Sequence, residues 1–277
     1  MIKPANLYLQ YKSQKKEIDK AILKIISNNS FIGGDEVKKF ENNFKKRIGS
    51  RYCVACGNGT DALLASVKSL GFKSKIKNEV ITTSHTWFST ASAITNAGGK
   101  VIFCDTEKDS YNISVNEIEK KVTKRTSGIV IVHLFGQPAQ IEKILQLANK
   151  YKLWVIEDCA QAHFIKKNKK YLGNFGHIGT FSFYPGKNLG AMGDAGAIIT
   201  NNKRLRNLCI MHLRHGGQKK HEHLLEGLNS RLDGLQAAIL NIKLRKIDTW
   251  NKKREIIAKE YLKNLSNLSA IKLPISN

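Results

Sequence analysis

A single lysine, Lys187, stands among small and apolar residues in FSFYPGKNLGAMGDAGA, residues 181–197, with four glycines around it and Asp194 close behind. An amine in a partly apolar setting is pushed toward its neutral, nucleophilic form. Ser182 offers a hydroxyl nearby. A second chemical segment is GNGTDA, residues 57–62, a flexible turn that opens a helix. Free N–H groups and the dipole at such a helix start favour an anion, phosphate above all; Thr60 as a plain N-cap is the alternative. Glu157 and Asp158 are carboxylates where an apolar run ends, suited to holding a positive group, or to an N-cap or salt bridge. Trp87, in HTW, can stack on a flat ring or fill core. The Gly-Lys pair at 186–187 invites comparison with a nucleotide-binding P-loop, which requires Ser or Thr next; Asn188 stands there instead.

These residues share a placement. CVACG, EVITTS, KVIFCD, GIVIVHLF and LWVIED read as buried strands, and GTFSFY and GAIITN as two more flanking the lysine segment. Helical spacing appears between them, at Leu63, Leu64, Val67 and Leu70 and again at Ile141, Ile144, Leu145 and Ala148. Strand and helix in alternation predict a three-layer α/β/α domain with a mostly parallel central sheet. Such sheets bind ligands beyond the carboxyl ends of their strands, where the chemical residues fall. Long helical patterning follows residue 230, broken if anywhere near Thr249. The expected division is a large domain over 1–230, and over 231–277 a helical connection with the start of a small domain.

Composition bounds the alternatives. The 277 residues, 42% hydrophobic and 25% charged, describe a chain that folds. Neither a signal-peptide core nor a membrane-length apolar run is visible, so the expected location is cytoplasmic, with no membrane partner. Five scattered cysteines fit a reducing compartment. The Cys53-Cys56 pair lacks a second pair for zinc, and His212, His215, His221 and His223 are irregularly spaced, so no metal is expected. A net charge of +24 raises nucleic-acid binding. The lysines lie in dispersed pairs and triplets without interleaved aromatics, which favours a solvated surface and suits an anionic small substrate.

A phosphate cradle, a carboxylate, a flat aromatic and a lysine at strand ends of one sheet are together what pyridoxal 5'-phosphate requires. The lysine forms the Schiff base, and the carboxylate keeps the pyridine nitrogen protonated so that the ring accepts electrons. The segments FIGGDEVKKFENNF, GNGTDALLAS, HTWFSTASAI, VHLFGQPAQI, IEDCAQAH, SFYPGKNLGAMGDAGAIITN and GLNSRLDGLQAAIL resemble the DegT/DnrJ/StrS sugar aminotransferases of the aspartate aminotransferase fold, type I.

The resemblance implies catalytic roles for Lys187, as Schiff-base lysine and proton shuttle, and for Asp158 at the pyridinium nitrogen. It implies that Trp87 stacks on the ring and Gln161 lies near the phenolic oxygen. Thr60 and Asp61 through their N–H groups, and Ser182 through its hydroxyl, would hold the phosphate, with Gly59 allowing close approach. Asn229 would reach the cofactor phosphate of a neighbouring subunit, making the protein a homodimer, and Tyr184 would contact substrate. The implied reaction moves an amino group from an amino acid, L-glutamate, to a nucleotide-linked ketosugar such as a dTDP-3-keto-6-deoxyhexose. Relatives with histidine at the lysine position dehydrate sugars, and Lys187 speaks against that. Family members continue well beyond the point where this sequence stops, so the small carboxy-terminal domain is expected to be largely missing. The alternative is then a truncated, non-catalytic relative that keeps the fold and serves as a partner subunit or has lost activity.

Overall fold

The computed structural model describes residues 6–72, 74–219 and 221–275. Residues 1–5 and 276–277 lie outside these, as do Lys73 and Lys220. Three helices lead in, α1 (Leu7–Lys12), α2 (Lys15–Ser27) and α3 (Gly34–Ile48). The alternating region follows as β1 (Tyr52–Cys56), α4 (Gly59–Leu70), β2 (Glu79–Thr83), α5 (Phe88–Asn96), β3 (Lys100–Cys104), α6 (Val115–Lys121), β4 (Thr126–Val132), α7 (Ile141–Tyr151) and β5 (Trp154–Asp158). A two-residue-per-strand ribbon, β6 (Lys166–Lys167) and β7 (Lys170–Tyr171), precedes β8 (Ile178–Ser182) and β9 (Gly196–Thr200). Helices α8 (Lys203–Leu213), α9 (Gly234–Leu244) and α10 (Ile247–Leu265) complete the chain.

Seven strands form one sheet in the order β1-β9-β8-β5-β4-β2-β3. Only β9 runs against its neighbours, β1 and β8; the other pairings are parallel. The carboxyl ends of β1, β8, β5, β4, β2 and β3 therefore share one edge, and β9 begins there, with Gly196 opposite both Cys56 and Ser182. All seven strands expected from the apolar runs are present. GIVIVHLF stops being strand at Val132, because His133 turns away and Leu134–Gly136 forms a single 3-10 turn. The break in the last helical stretch comes at Arg245 and Lys246, a few residues before Thr249.

Alternation along each strand sends successive side chains to opposite layers. One face packs Val54, Cys56, Val130, Ile156 and Ile198 against α4 and α8. The other packs Ala55, Phe181 and Ile199 against Phe40 and Phe44 of α3 and Ala237 and Leu240 of α9. Further along that second face, Ile81, Ile129 and Val155 meet Ile118 of α6 and Ile144 of α7. Cys53 and Cys56, three apart on a strand, fall into different layers, so the two thiols of the CxxC do not converge.

Candidate active site

The strand-end residues converge on a cleft of about 500 Å³ at the carboxyl edge of the sheet. Lys187 and Asp158 both line it, and the two interact electrostatically. Gly59, Thr60, Trp87, Gln161, Ser182 and Tyr184 line it as well, together with Asp194. Trp87 and Tyr184 are largely exposed at 77% and 59%, placing flat aromatic surface at the mouth rather than in the core.

Each wall has a local cause. The turn after β1 delivers Asn58, which caps α4: its Oδ1 accepts the Asp61 N–H at 2.8 Å and its Nδ2 donates to Asp61 Oδ2 at 2.9 Å. Asn58, not Thr60, is the N-cap, and the Thr60 hydroxyl instead meets Ser89 Oγ at 2.7 Å. Asp61 is turned to this cap and does not line the cleft, which leaves the first-turn N–H groups of Gly59 and Thr60 at the cleft wall. A Cβ on Gly59 would lie 2.7 Å from Ser182 Cβ, so only glycine lets the start of α4 approach the end of β8 this closely. Asn229 is exposed, bridged to Arg214, and does not line the cleft.

Glu157 and Asp158 part company because they are adjacent on β5. Asp158 faces the cleft, 5% exposed, accepting from the Thr90 hydroxyl at 3.0 Å and the Ala160 N–H at 3.1 Å. Burial pushes its carboxyl above the ordinary range, against the lowering by Ala160, Thr90 and Lys187. Burial likewise draws the Lys187 amine below its usual value, and Asp158 restores part of the shift. Burial thus weakens the preference of each group for its charged form, while their mutual attraction opposes it. Thr90 and Asn58 were not singled out in the sequence; a threonine one turn into α5 signals nothing until α5 is seen to pack beside the end of β5.

Gln161 also owes its orientation to tertiary structure. Its Oε1 accepts the Phe135 N–H at 2.7 Å, from a residue held in the left-handed region at φ 56°. The amide NH₂ is then the end left for a ligand oxygen.

Among the described residues one trio of potential metal-ligand atoms comes together, on His133, Glu157 and Cys159, all buried. The carboxylate is already engaged: Glu157 Oε2 accepts from the Gly173 N–H at 2.8 Å and from His133 Nε2 at 3.0 Å, and Oε1 from the Phe175 and Gly176 N–H groups at 2.7 Å each. His133 Nδ1 accepts the Ala139 N–H, which leaves Nε2 as its donor. This is a closed structural knot. Near the four histidines of residues 212–223, His223 Nδ1 bonds the His215 carbonyl at 2.8 Å, and His215, His221 and His223 line a separate cleft with Arg214 and Arg231.

The residues fit pyridoxal phosphate on structural grounds: an anion-favouring helix start narrowed by Gly59, a buried carboxylate with few partners, and a desolvated amine share one cleft. Comparison with known proteins agrees. Residues 12–276 match the DegT/DnrJ/EryC1/StrS aminotransferase family. The chain is 43% identical over 253 residues to the dTDP-3-amino-3,6-dideoxy-alpha-D-galactopyranose transaminase of Aneurinibacillus thermoaerophilus, covering 91% of this chain and 69% of that one. It is 41% identical to the pleiotropic regulatory protein of Geobacillus stearothermophilus, covering 92% and 68%. The crystal structure of S. venezuelae DesV in complex with a ketimine intermediate superposes with a TM-score of 0.94 at 34% identity, covering 98% of this chain and 73% of that one. The chain belongs to the DegT/DnrJ/EryC1/StrS aminotransferase family, enzymes of PLP fold type I that work with a pyridoxal phosphate cofactor.

Proposed function

We propose that this enzyme transfers an amino group from L-glutamate to a nucleotide-linked keto-deoxysugar, a dTDP-3-keto-6-deoxyhexose. The observation that carries the reading is the presence of Lys187 and Asp158 in one cleft, the first with its amine desolvated. The sugar is supported by the name of the Aneurinibacillus relative, whose 3-amino-3,6-dideoxy product corresponds to a 3-keto-6-deoxy precursor. The cationic excess of the chain, 46 Lys and Arg against 22 Asp and Glu, suits a doubly anionic nucleotide substrate.

When bound, the cofactor supplies an electron-accepting ring that stabilises negative charge on the donor's α carbon. Lys187 Nζ, made less basic by burial, would be the group that moves the proton at that carbon. Asp158 would hold a proton on the ring nitrogen, its carboxylate oriented by the Thr90 hydroxyl and the Ala160 N–H. The N–H groups of Gly59 and Thr60 and the Ser182 hydroxyl would hold the phosphate, the Gln161 amide would meet the phenolic oxygen, and Trp87 would cover the ring. Tyr184, exposed at the mouth, contacts the sugar. Asn229 completes the phosphate site of a second copy in a homodimer; its exposure, with no part in lining its own cleft, supports that assignment. No helix among the described residues is long and apolar enough to cross a membrane.

The test is to supply cofactor, L-glutamate and a dTDP-3-keto-6-deoxyhexose and follow the aminosugar by mass spectrometry, with borohydride fixing the cofactor to protein. Aminosugar formation, with reduced cofactor on the Lys187 peptide, is expected. Cofactor fixed at Lys187 without turnover of any ketosugar would favour the non-catalytic partner reading, and failure to fix cofactor there would overturn the site.

A further inference from the structure

The turn that carries Lys187 leaves the sheet after Phe183 and returns at Ala191, whose N–H donates to the Phe183 carbonyl at 2.7 Å. Within it the Lys187 N–H donates to the Tyr184 carbonyl at 2.8 Å. Lys187 lines the cleft; Asn188, the next residue, does not, and reaches instead toward the helices behind. Asn188 Nδ2 donates to Asn251 Oδ1 at 2.9 Å, and Asn251 Nδ2 donates to the His163 carbonyl at 3.1 Å. His163 belongs to the segment following Asp158, and its Nε2 donates to the Ser182 carbonyl at 3.0 Å. One carboxamide near the start of α10 thus joins the two segments that carry the catalytic pair, and the circuit closes through the end of β8.

Asn251 satisfies both segments at once, accepting with one end and donating with the other, which no apolar or singly functional side chain can do. The remainder of the turn is held from α9, where Lys243 Nζ donates to the Gly190 carbonyl at 2.7 Å and Gln236 Oε1 accepts the Met192 N–H at 2.8 Å. Leu189 is buried in the core, which anchors the turn beyond Asn188 while Lys187 is left to line the cleft. We propose that Asn251 is a positioning residue: through Asn188 and His163 it sets the placement of the Lys187 amine relative to Asp158, and couples both to α10.

The test uses the full chain without cofactor, so its outcome is independent of which sugar or donor the enzyme takes. Acetic anhydride labelling of Lys187, read from its peptide by mass spectrometry across pH, reports the solvation of the amine; melting temperature reports the fold. Asp158 and Asp194, which line the cleft, and Arg254, which acts on His163, are untouched by the substitutions. Release of the turn lets water reach the amine, so Asn251→Ala and Asn188→Ala should each raise the labelling midpoint by about half a pH unit. The double variant should rise no further than the larger single, because both remove one linkage. A folded Asn251→Ala with the parent midpoint overturns the proposal, as do two single effects that add in full. If Asn251→Ala does not fold, Asn188→Ala decides alone, since it leaves the Asn251–His163 bond in place; a parent-like midpoint there also overturns it.

Discussion

Glu157 and Asp158 are neighbours on one strand, equally acidic and almost equally buried, yet they occupy opposite layers and opposite roles. Glu157 is met by three backbone N–H groups and His133, and every lone-pair direction has a donor. Asp158 has one hydroxyl and one N–H, and the rest of its carboxylate faces a cleft shared with an amine. Completeness of hydrogen bonding separates a carboxylate that holds the fold from one kept ready for a ligand. A buried acid fully supplied from within has nothing left to bind; one left short retains a capacity that only a ligand fills.

This contrast can be broken most sharply at the amine. Lys187→Ala should reduce transamination at least about 10³-fold, measured as single-turnover conversion of L-glutamate, while the melting temperature holds or rises because a desolvated cation is gone. Asp158→Asn should lower the same rate by about 10²-fold or more, and should stabilise the cofactor-free protein at neutral pH. The sign follows from the direction of the shift: with the folded carboxyl raised above its unfolded value, Asp158 favours folding below the unfolded range and loses that contribution as pH rises through the folded value. The melting advantage of Asp158→Asn should therefore be present at pH 7 and vanish near pH 3.

Glu157→Gln is the mirror experiment. It replaces an acceptor of four bonds with a group that presents two donors to N–H partners, and should cost about 3 kcal/mol by denaturant unfolding. A Glu157→Gln variant of unchanged stability, or an Asp158→Asn variant that loses stability instead of rate, would dissolve the distinction between the two acids. Gly59→Ala should weaken cofactor retention about tenfold by equilibrium dialysis, because the added Cβ forces α4 away from Ser182.

A further effect, read only through its pH dependence, lies behind the cleft. Burial pushes His163 down to about 3, so it stays neutral in the folded state while the unfolded chain takes up a proton near pH 6.5. Folding stability should rise with pH between about 3 and 6.5, and His163→Gln should flatten that part of the melting curve by about one proton's worth of slope.

Lys187, Asp158, Trp87 and the GNGT turn could be read together because each follows an apolar run, and in a parallel sheet the ends of such runs share an edge. The strand runs themselves were legible because buried strands between helices carry unbroken β-branched sequence. GIVIVHLF misled only at its end, where the backbone turns away at His133 into the 3-10 turn Leu134–Gly136 and terminates the strand after Val132. Thr90, Asn251 and the orientation of Gln161 were not legible, since each acquires meaning from a partner distant in sequence: 68 residues separate Thr90 from Asp158 and 63 separate Asn251 from Asn188.

Local pattern thus determined which elements form and which residue types stand at their ends, because strand and helix periodicities are properties of neighbouring residues. Only the tertiary structure decided that Glu157 turns inward and Asp158 toward the cleft. It also decided which amides lock the lysine turn, because hydrogen-bond partners and desolvation depend on segments brought together by folding.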